Sequence, residues 1–147
     1  MSRIPEKNPT GTYVCFFDGA CYPNNPGGRM GQGIVIKKDG LIMRYSGGQP
    51  PAKSNTNNVS EYLALKALLS KFIGRKGCRI RVYGDSNLAI SQMTGEFRIK
   101  EGSYVKHAYE CLRLAEDIRK DNDLKFYWIP REKNREADEL SKSYIPS

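Results

Sequence analysis

Tyr13-Val14-Cys15-Phe16-Phe17-Asp18 is an apolar run that ends in a carboxylate, and Arg79-Ile80-Arg81-Val82-Tyr83-Gly84-Asp85 repeats this pattern later in the chain. Each run predicts a β-strand that ends at its aspartate. Keeping a carboxylate at the end of an apolar strand costs free energy, because the charged group loses water. Asp18 and Asp85 are therefore candidate functional residues.

Two further acids lie on helical patterns beside apolar positions. Glu61 begins the helical run Glu61 to Ile73 and shares its apolar stripe, and Asp138 lies in the short pattern Asn134 to Ser143. If these two acids meet the two strand-end aspartates, divalent cations would relieve their repulsion most directly. Ligation by oxygen alone suits Mg²⁺ or Mn²⁺.

Composition predicts one globular domain with a basic surface. The chain has 147 residues, and its 24 Lys and Arg exceed its 16 Asp and Glu, which gives a formal charge of +8. A basic chain that concentrates acids in its core indicates a polyanionic partner at the surface and a metal at the centre. The alternative, that the charge serves solubility alone, stays open at this point.

Four cysteines lack the C-x-x-C spacing of many metal and redox sites, and we interpret them as reduced thiols in or near the core: Cys15, Cys21, Cys78 and Cys111. The chain has no N-terminal apolar run and no stretch of about 18 apolar residues. These features predict a cytoplasmic protein that neither spans nor binds a membrane.

The first third of the chain predicts an antiparallel meander. Residues 1–11 are polar and predict a flexible leader, so the domain is expected to cover residues 12–147. Strands Gly31 to Lys37 and Leu41 to Ser46 flank a hairpin signal, Lys38-Asp39-Gly40. Asn57 or Asn58 is expected to cap the first long helix and Gly74 to close it.

The remainder alternates between helical and strand patterns. The Arg79 strand is followed by a short helix from Ser86 to about Thr94, a longer one from about Ser103 to Lys120, the strand Leu124 to Trp128 and the final helix. Helices between strands imply right-handed crossovers and a parallel portion of sheet. The expected fold is a mixed five-stranded sheet with helices packed on it.

Four motifs, read together, resemble a type 1 ribonuclease H. They are Asp18-Gly19-Ala20-Cys21 with Asn25-Pro26-Gly27, Thr56-Asn57-Asn58-x-x-Glu61, Gly84-Asp85-Ser86 and Asn134-x-x-x-Asp138. The resemblance runs in order from Tyr13 to Tyr144. It implies an α/β, ribonuclease H-like fold with sheet order 3-2-1-4-5 and helices on both faces.

The resemblance also implies a chemistry. Asp18 would bridge two Mg²⁺ ions, for which Mn²⁺ can substitute, Glu61 and Asp85 would hold one ion, and Asp138 would hold the other. The implied reaction is endonucleolytic hydrolysis of the RNA strand of an RNA–DNA hybrid, which leaves 5′-phosphate and 3′-hydroxyl ends. The implied enzyme is a monomer.

Recognition of the hybrid is implied for six polar positions. The backbone at Cys21 and the side chains of Asn25, Asn57, Asn58 and Asn87 would line the hybrid, with Thr56 nearer a DNA phosphate. Amide and backbone groups suit the 2′-hydroxyl, which is both a donor and an acceptor. Simpler interpretations remain for Asn57 and Asn58 as helix caps and for Asn25 as a turn residue.

The chain departs from well-known members in three places. One apparent extra residue in Tyr22-Pro23-Asn24 leaves Asn24 and Asn25 both open as the substrate residue. Gly95 to Gly102 is too short for the basic helix and loop that many members use to hold the hybrid, so a compact form is expected. Arg131 stands where many members place a histidine, and we interpret it as an electrostatic catalytic residue or a solvated loop charge.

Two competing functions remain. A non-catalytic hybrid-binding module is expected to lose at least one acid, whereas all four are present. A DNA-acting nuclease of the same broad fold places its acids in different motifs. The run Thr56-Asn57-Asn58 instead favours a protein that recognises the 2′-hydroxyl of RNA.

Overall fold

The computed structural model describes residues 10–144, so residues 1–9 of the predicted leader lie outside the described chain. The elements are, in chain order, β1 (Gly11–Tyr22), β2 (Arg29–Lys38), β3 (Leu41–Gln49), α1 (Asn57–Ser70), β4 (Cys78–Gly84), α2 (Asn87–Met93), α3 (Val105–Arg119), β5 (Asp123–Trp128), a 3₁₀ turn (Arg131–Lys133) and α4 (Arg135–Ser141). No helix separates α2 from α3, which confirms the compact form.

The five strands form one mixed sheet in the order β3-β2-β1-β4-β5, as predicted. Strand β2 is antiparallel to both β1 and β3, while β4 is parallel to both β1 and β5. Asp39 and Gly40 join β2 to β3, with φ angles of 51° and 82°. These positive angles match the tight hairpin that the sequence predicts.

The prediction that β1 ends at Asp18 was wrong. Strand β1 continues to Tyr22, which pairs with Arg29, because β2 supplies a hydrogen-bonding partner along this whole segment. Pairing of β1 with β4, by contrast, stops at Phe17 opposite Gly84. Asp18 and Asp85 therefore both follow the last paired residues of two parallel strands, and they emerge side by side.

Helix α1 begins four residues before the predicted Glu61, and neither Asn57 nor Asn58 caps it. Thr56 has an extended backbone, and its Oγ1 accepts a hydrogen bond from Val59 N at 3.0 Å. This places Glu61 in the second helical turn, facing the sheet. The helix ends at Ser70, and Gly74 follows in the closing turn with φ 82°.

Helices cover both faces of the sheet, and glycines let two of them approach its backbone closely. A Cβ atom on Gly19 would lie 2.3 Å from the backbone N of Glu61 in α1. On the other face, a Cβ atom on Gly31 would lie 1.8 Å from the carbonyl oxygen of Ser141 in α4. Only glycine permits such contacts. The first contact brings Glu61 to β1, the strand that carries Asp18, and the second brings α4, which carries Asp138, to the neighbouring strand β2.

The main core fills the space between the sheet, α1 and α3. It includes fully buried aromatic and aliphatic side chains, among them Tyr13, Phe17, Tyr62, Leu65, Leu68 and Phe72. All four cysteines are buried free thiols, as predicted. Within residues 10–144, no helix is both long and apolar enough to cross a lipid bilayer.

Candidate metal centre and substrate cleft

Three of the four predicted acids form a compact cluster. Carboxylate oxygens of Asp18 in β1, Glu61 in α1 and Asp85 after β4 lie within 4.8 Å of one another. Asp18 is 4% exposed and Glu61 7% exposed. Carboxylates at this separation and depth repel one another unless protons or cations compensate their charge.

Asp138 joins the other three acids in the lining of one cleft of about 410 Å³. Its carboxylate lies between two cations: Arg131 Nη2 is 3.6 Å from Oδ1, and Lys142 Nζ is 3.3 Å from Oδ2. The structure therefore brings together all four predicted acids and Arg131.

Burial is the main cause that raises the pKa of Asp18 to about 7; the charges of Asp85 and Asp138 act in the same direction, and the hydrogen bond with Glu61 opposes them. Burial also raises the pKa of Glu61 well above its usual range, and the hydrogen bond to Asp18 adds to this. In the absence of a cation, the cluster therefore retains a proton near neutral pH.

The other two acids differ from this pair. Burial raises the pKa of Asp85, although a hydrogen bond with Asn134 opposes the change. Burial alone would also raise the pKa of Asp138, but hydrogen bonds with Asp18 and Lys142 and the positive charges of Lys142 and Arg131 lower it below its usual value. Asp138 is therefore the acid most readily ionised.

The cluster fits a divalent cation. It offers hard carboxylate oxygens from three separate elements, as Mg²⁺ and Mn²⁺ require. The Oε2 atom of Glu61 is buried and has no hydrogen-bond donor among residues 10–144. A buried acceptor without a donor is costly, and a cation among the three acids would satisfy it.

Two residues that contact the acids of the site were not identified from the sequence. Asn134 is 2% exposed, and its Nδ2 donates to Phe17 O at 2.9 Å and to Asp85 Oδ2 at 3.2 Å, so it orients Asp85 against β1. The sequence feature that could have identified Asn134 is its position four residues before Asp138. Lys142, which contacts Asp138, lies four residues after it and thus on the same side of the helix.

A chain of hydrogen bonds joins three of the predicted substrate residues. Asn57 Oδ1 accepts from Cys21 N at 2.8 Å, and Asn25 Oδ1 accepts from Asn57 N at 3.1 Å. Asn24 contributes its backbone oxygen instead, to Gly28 N and Cys21 Sγ. Of Asn24 and Asn25, only Asn25 thus takes part in these hydrogen bonds through its side chain.

The other predicted substrate residues are placed differently. Asn58 is exposed and lines the cleft, together with Cys21 and Asn57. Thr56 caps α1, and Asn87 is the exposed first residue of α2, where its Oδ1 accepts from Ser91 Oγ at 3.3 Å. Asn25, Thr56 and Asn87 do not belong to the lining of the carboxylate cleft.

The cation-free protein is expected to lose stability as pH rises. The pKa of Asp18 is about 7 when folded and near its usual 3.8 when unfolded, so the folded state binds more protons between these values. The stabilisation is complete below about pH 4 and is lost as pH rises through about 7. Between pH 5 and 8 in EDTA, we expect a loss of about 2–3 kcal/mol, or about 4–12 °C in Tm.

Thermal melts at both pH values, with EDTA or Mg²⁺, test this expectation. Mg²⁺ binds the ionised acids, so it should raise Tm more at pH 8 than at pH 5. Asp18→Asn is the control, because its side chain does not titrate and its Tm should change less with pH. A parent protein whose Tm follows the same pH profile as the variant would contradict the expectation.

Comparison with known families agrees with this geometry. Residues 16–144 match the family model described as reverse transcriptase-like. A bifunctional protein of Mycobacterium tuberculosis is 34% identical over 86 residues, which is 58% of this chain and 23% of that protein. The chain thus matches about a quarter of that relative. A ribonuclease HI of Halobacterium salinarum is 27% identical over 145 residues, covering 99% of this chain and 70% of the relative.

Solved structures show the same architecture. The N-terminal RNase H domain of the M. tuberculosis protein superposes with a TM-score of 0.77 at 26% identity, over 92% of this chain and 99% of that one. LC11-RNase H1, solved in complex with an RNA/DNA hybrid, gives a TM-score of 0.74 at 29% identity, over 90% and 96% of the two chains. The sheet order and helix positions described above are those of this group.

Proposed function

Because this chain belongs to the reverse transcriptase-like family and has the ribonuclease H fold, we propose that it hydrolyses the RNA strand of RNA–DNA hybrids endonucleolytically, leaving 5′-phosphate and 3′-hydroxyl ends. The observation that carries the proposal is the cluster of Asp18, Glu61 and Asp85 within 4.8 Å, with Asp138 on the same cleft. One relative binds an RNA/DNA hybrid, which supports the substrate class.

We assign the acids to two divalent ions, Mg²⁺ or Mn²⁺. Asp18 would contact both ions, Glu61 and Asp85 would hold one, and Asp138 would hold the other. Ions held by these residues would supply activation of a water molecule and stabilisation of the leaving 3′-oxygen. Asn134 would keep Asp85 oriented through its 3.2 Å hydrogen bond.

The residues around the acids serve substrate placement. Cys21, Asn57 and Asn58 line the cleft beside the acids, so a strand lying in it would meet the Cys21 backbone and these two amides. Asn25 fixes the backbone of Asn57. Asn87 and Thr56, outside the lining, would contact the hybrid farther from the scissile phosphate.

A cleavage assay tests the proposal. A hybrid labelled on its RNA strand should be cut in Mg²⁺ and left intact in EDTA, while double-stranded DNA and double-stranded RNA should remain uncut. Binding of the hybrid without cleavage in Mg²⁺ or Mn²⁺ would favour the non-catalytic module. Cleavage of double-stranded DNA instead would indicate a DNA-acting nuclease.

Arg131→Ala is expected to reduce single-turnover cleavage about 10- to 100-fold. An arginine stays ionised, so it supplies positive charge and donors but does not transfer a proton. Its guanidinium lies 3.6 Å from Asp138, where it can attract the scissile phosphate or the product. The loss should be smaller than that from removing a metal-binding acid, because the ions still act.

Lys133→Ala is the matched control, since Lys133 is an exposed cation in the same 3₁₀ turn. Arg131→His restores positive charge only when the imidazole is protonated, so it should recover more activity at pH 6 than at pH 8. If Arg131→Ala, Lys133→Ala and the parent cleave at equal rates over a salt series, Arg131 is a solvated loop charge.

Asn58→Ala is expected to weaken hybrid binding by about 1–3 kcal/mol without changing Tm. The side chain is exposed, lies in the cleft lining and does not cap α1, so its loss removes a substrate contact rather than a structural one. Ser70→Ala, a polar change at the far end of the same helix, is the control. Hybrid affinity and Tm, measured on both variants, decide whether Asn58 contacts the substrate. An Asn58→Ala variant that binds the hybrid like the parent would refute this contact.

Three broader features belong to the same proposal. We place the enzyme in the cytoplasm, in keeping with its four buried free thiols. We propose that it acts as a monomer, which sedimentation at working concentration would check. We also propose that the catalytic domain begins with β1, whose first residue is Gly11, one residue before the predicted boundary at residue 12.

A further inference from the structure

One part of the sheet carries no covering helix in the described part of the chain. Helix α4 packs on β2, β1 and β3, whereas α2 and α3 reach β5 from the opposite face, where Leu124 and Phe126 are buried. The β4–β5 half of the α4 face is therefore open to solvent. We call this open half, together with the adjoining end of β1, the ladder face.

Three aromatic rings cross the ladder face in register. Phe16 pairs with Tyr83, and Tyr83 pairs with Tyr127, on β1, β4 and β5. The rings stack with centroids 5.5 Å and 5.3 Å apart and interplanar angles of 25° and 23°. Tyr127, at the edge of the sheet, is 40% exposed. The stack therefore ends in a ring that a further flat group can extend.

Cations surround these rings. Five lie on the same sheet face by strand register: Lys37, Arg44, Arg79, Arg81 and Lys125. Two acids face them, and each contacts two cations. Asp123 lies 2.8 Å from Arg81 and 3.9 Å from Arg79, and Glu136 lies 3.0 Å from Arg44 and 3.4 Å from Lys37. On β4 and β5, which form most of the ladder face, Arg79, Arg81 and Lys125 stand against the one acid Asp123, a surplus of two positive charges, so this surface attracts a polyanion.

We propose that the ladder face binds a single strand of nucleic acid. Stacked rings accept bases, because every base has a flat π-face, while flanking cations hold the phosphates. An acidic peptide would use the cations but has no flat groups for the rings. A second copy of this chain would set two positively charged faces against each other. The combination of rings and positive charge therefore favours a single strand over both.

The ladder face is distinct from the carboxylate cleft. Phe16 and Tyr83 precede Asp18 and Asp85 by two residues on the same sheet face, but Asn134 bonds both Phe17 O and Asp85 Oδ2 between the two regions. The inference goes beyond the proposed function and does not depend on it. Hydrolysis of a short hybrid should persist in variants of the ladder face.

Fluorescence anisotropy in EDTA, with labelled oligo(dT) and oligo(rU) of about 12 nucleotides, tests the inference. Without cations, the acids of the cleft repel phosphates, so binding reports on the ladder face. Tyr127→Ala should weaken binding about tenfold, and Tyr127→Trp should preserve it. Tyr109→Ala, a control at an exposed ring on α3, should bind like the parent.

Both oligonucleotides should bind within about threefold of each other, since neither rings nor phosphates distinguish the sugar. Four results would overturn the inference: equal binding by Tyr127→Ala and Tyr109→Ala, loss of binding in Tyr127→Trp despite a parental Tm, stronger discrimination between the sugars, or equal competition by polyglutamate. Self-association that disappears in Tyr127→Ala would assign the face to a second copy instead.

Discussion

Replacing Asp18 by asparagine is expected to lower hydrolysis of the hybrid by at least about 10³-fold, or roughly 4 kcal/mol of transition-state stabilisation. Asp18 is the acid to which we assign contact with both ions. It contributes to the three-acid cluster and also interacts with Asp138 across the cleft. Asparagine keeps the shape of the side chain but removes the charge that holds the cations.

The fold should survive this change. Asp18 is 4% exposed as a residue and lies among like charges, so a neutral side chain of the same size relieves repulsion. Hybrid binding and the Tm in EDTA at pH 8 should therefore match or exceed those of the parent.

Single-turnover cleavage in Mg²⁺, with hybrid affinity and Tm measured on the same preparations, tests this prediction. Asp117→Asn is the control, because Asp117 is an exposed acid on α3 that contacts only Lys120 among the described ion pairs. Asp138→Asn should also lose activity. If Asp18→Asn and Asp138→Asn both cleave near the parental rate, the assignment of the metal-binding acids is wrong.

Much of the fold and site could be predicted because short motifs determine it. Strand β4 ends at Gly84, one residue before the predicted end at Asp85; the alternation of helices and strands predicted a mixed five-stranded sheet, and the family resemblance implied its strand order. The end of β1 was not predictable in the same way. Gly19 and Ala20 favour a loop locally, and they become strand only because β2 pairs with them.

Contacts between distant segments explain the other differences. Asn57 has the residue type of a cap, but its side chain accepts from Cys21, 36 positions earlier, and Thr56 caps the helix instead. Lys142 looks like an ordinary exposed helix charge until the fold brings Asp138 to the metal cluster. The alignment of Phe16, Tyr83 and Tyr127 likewise requires knowledge of which strands are neighbours and in which register.

Gly31→Ala is expected to lower the free energy of unfolding by about 3 kcal/mol or more, or to displace α4 from the sheet. The added Cβ atom would lie 1.8 Å from the carbonyl oxygen of Ser141 and 2.9 Å from its carbonyl carbon. These are backbone atoms of α4, so no side-chain rotation relieves the clash. Because α4 carries Asp138, the same change should remove that acid from the cleft.

Gly47→Ala is the matched control, since Gly47 lies on β3 of the same sheet and its added Cβ atom would meet only Gln32 Oε1, at an ordinary 3.7 Å.

Melts and cleavage assays on both variants separate the two consequences of Gly31→Ala. If only α4 shifts, the cluster of Asp18, Glu61 and Asp85 persists, so Mg²⁺ still raises Tm at pH 8 while cleavage is lost. If the whole fold weakens, Tm falls by about 10 °C in EDTA as well. Parental Tm and parental cleavage in Gly31→Ala would show that α4 does not depend on this backbone contact, and that Asp138 reaches the cleft in another way.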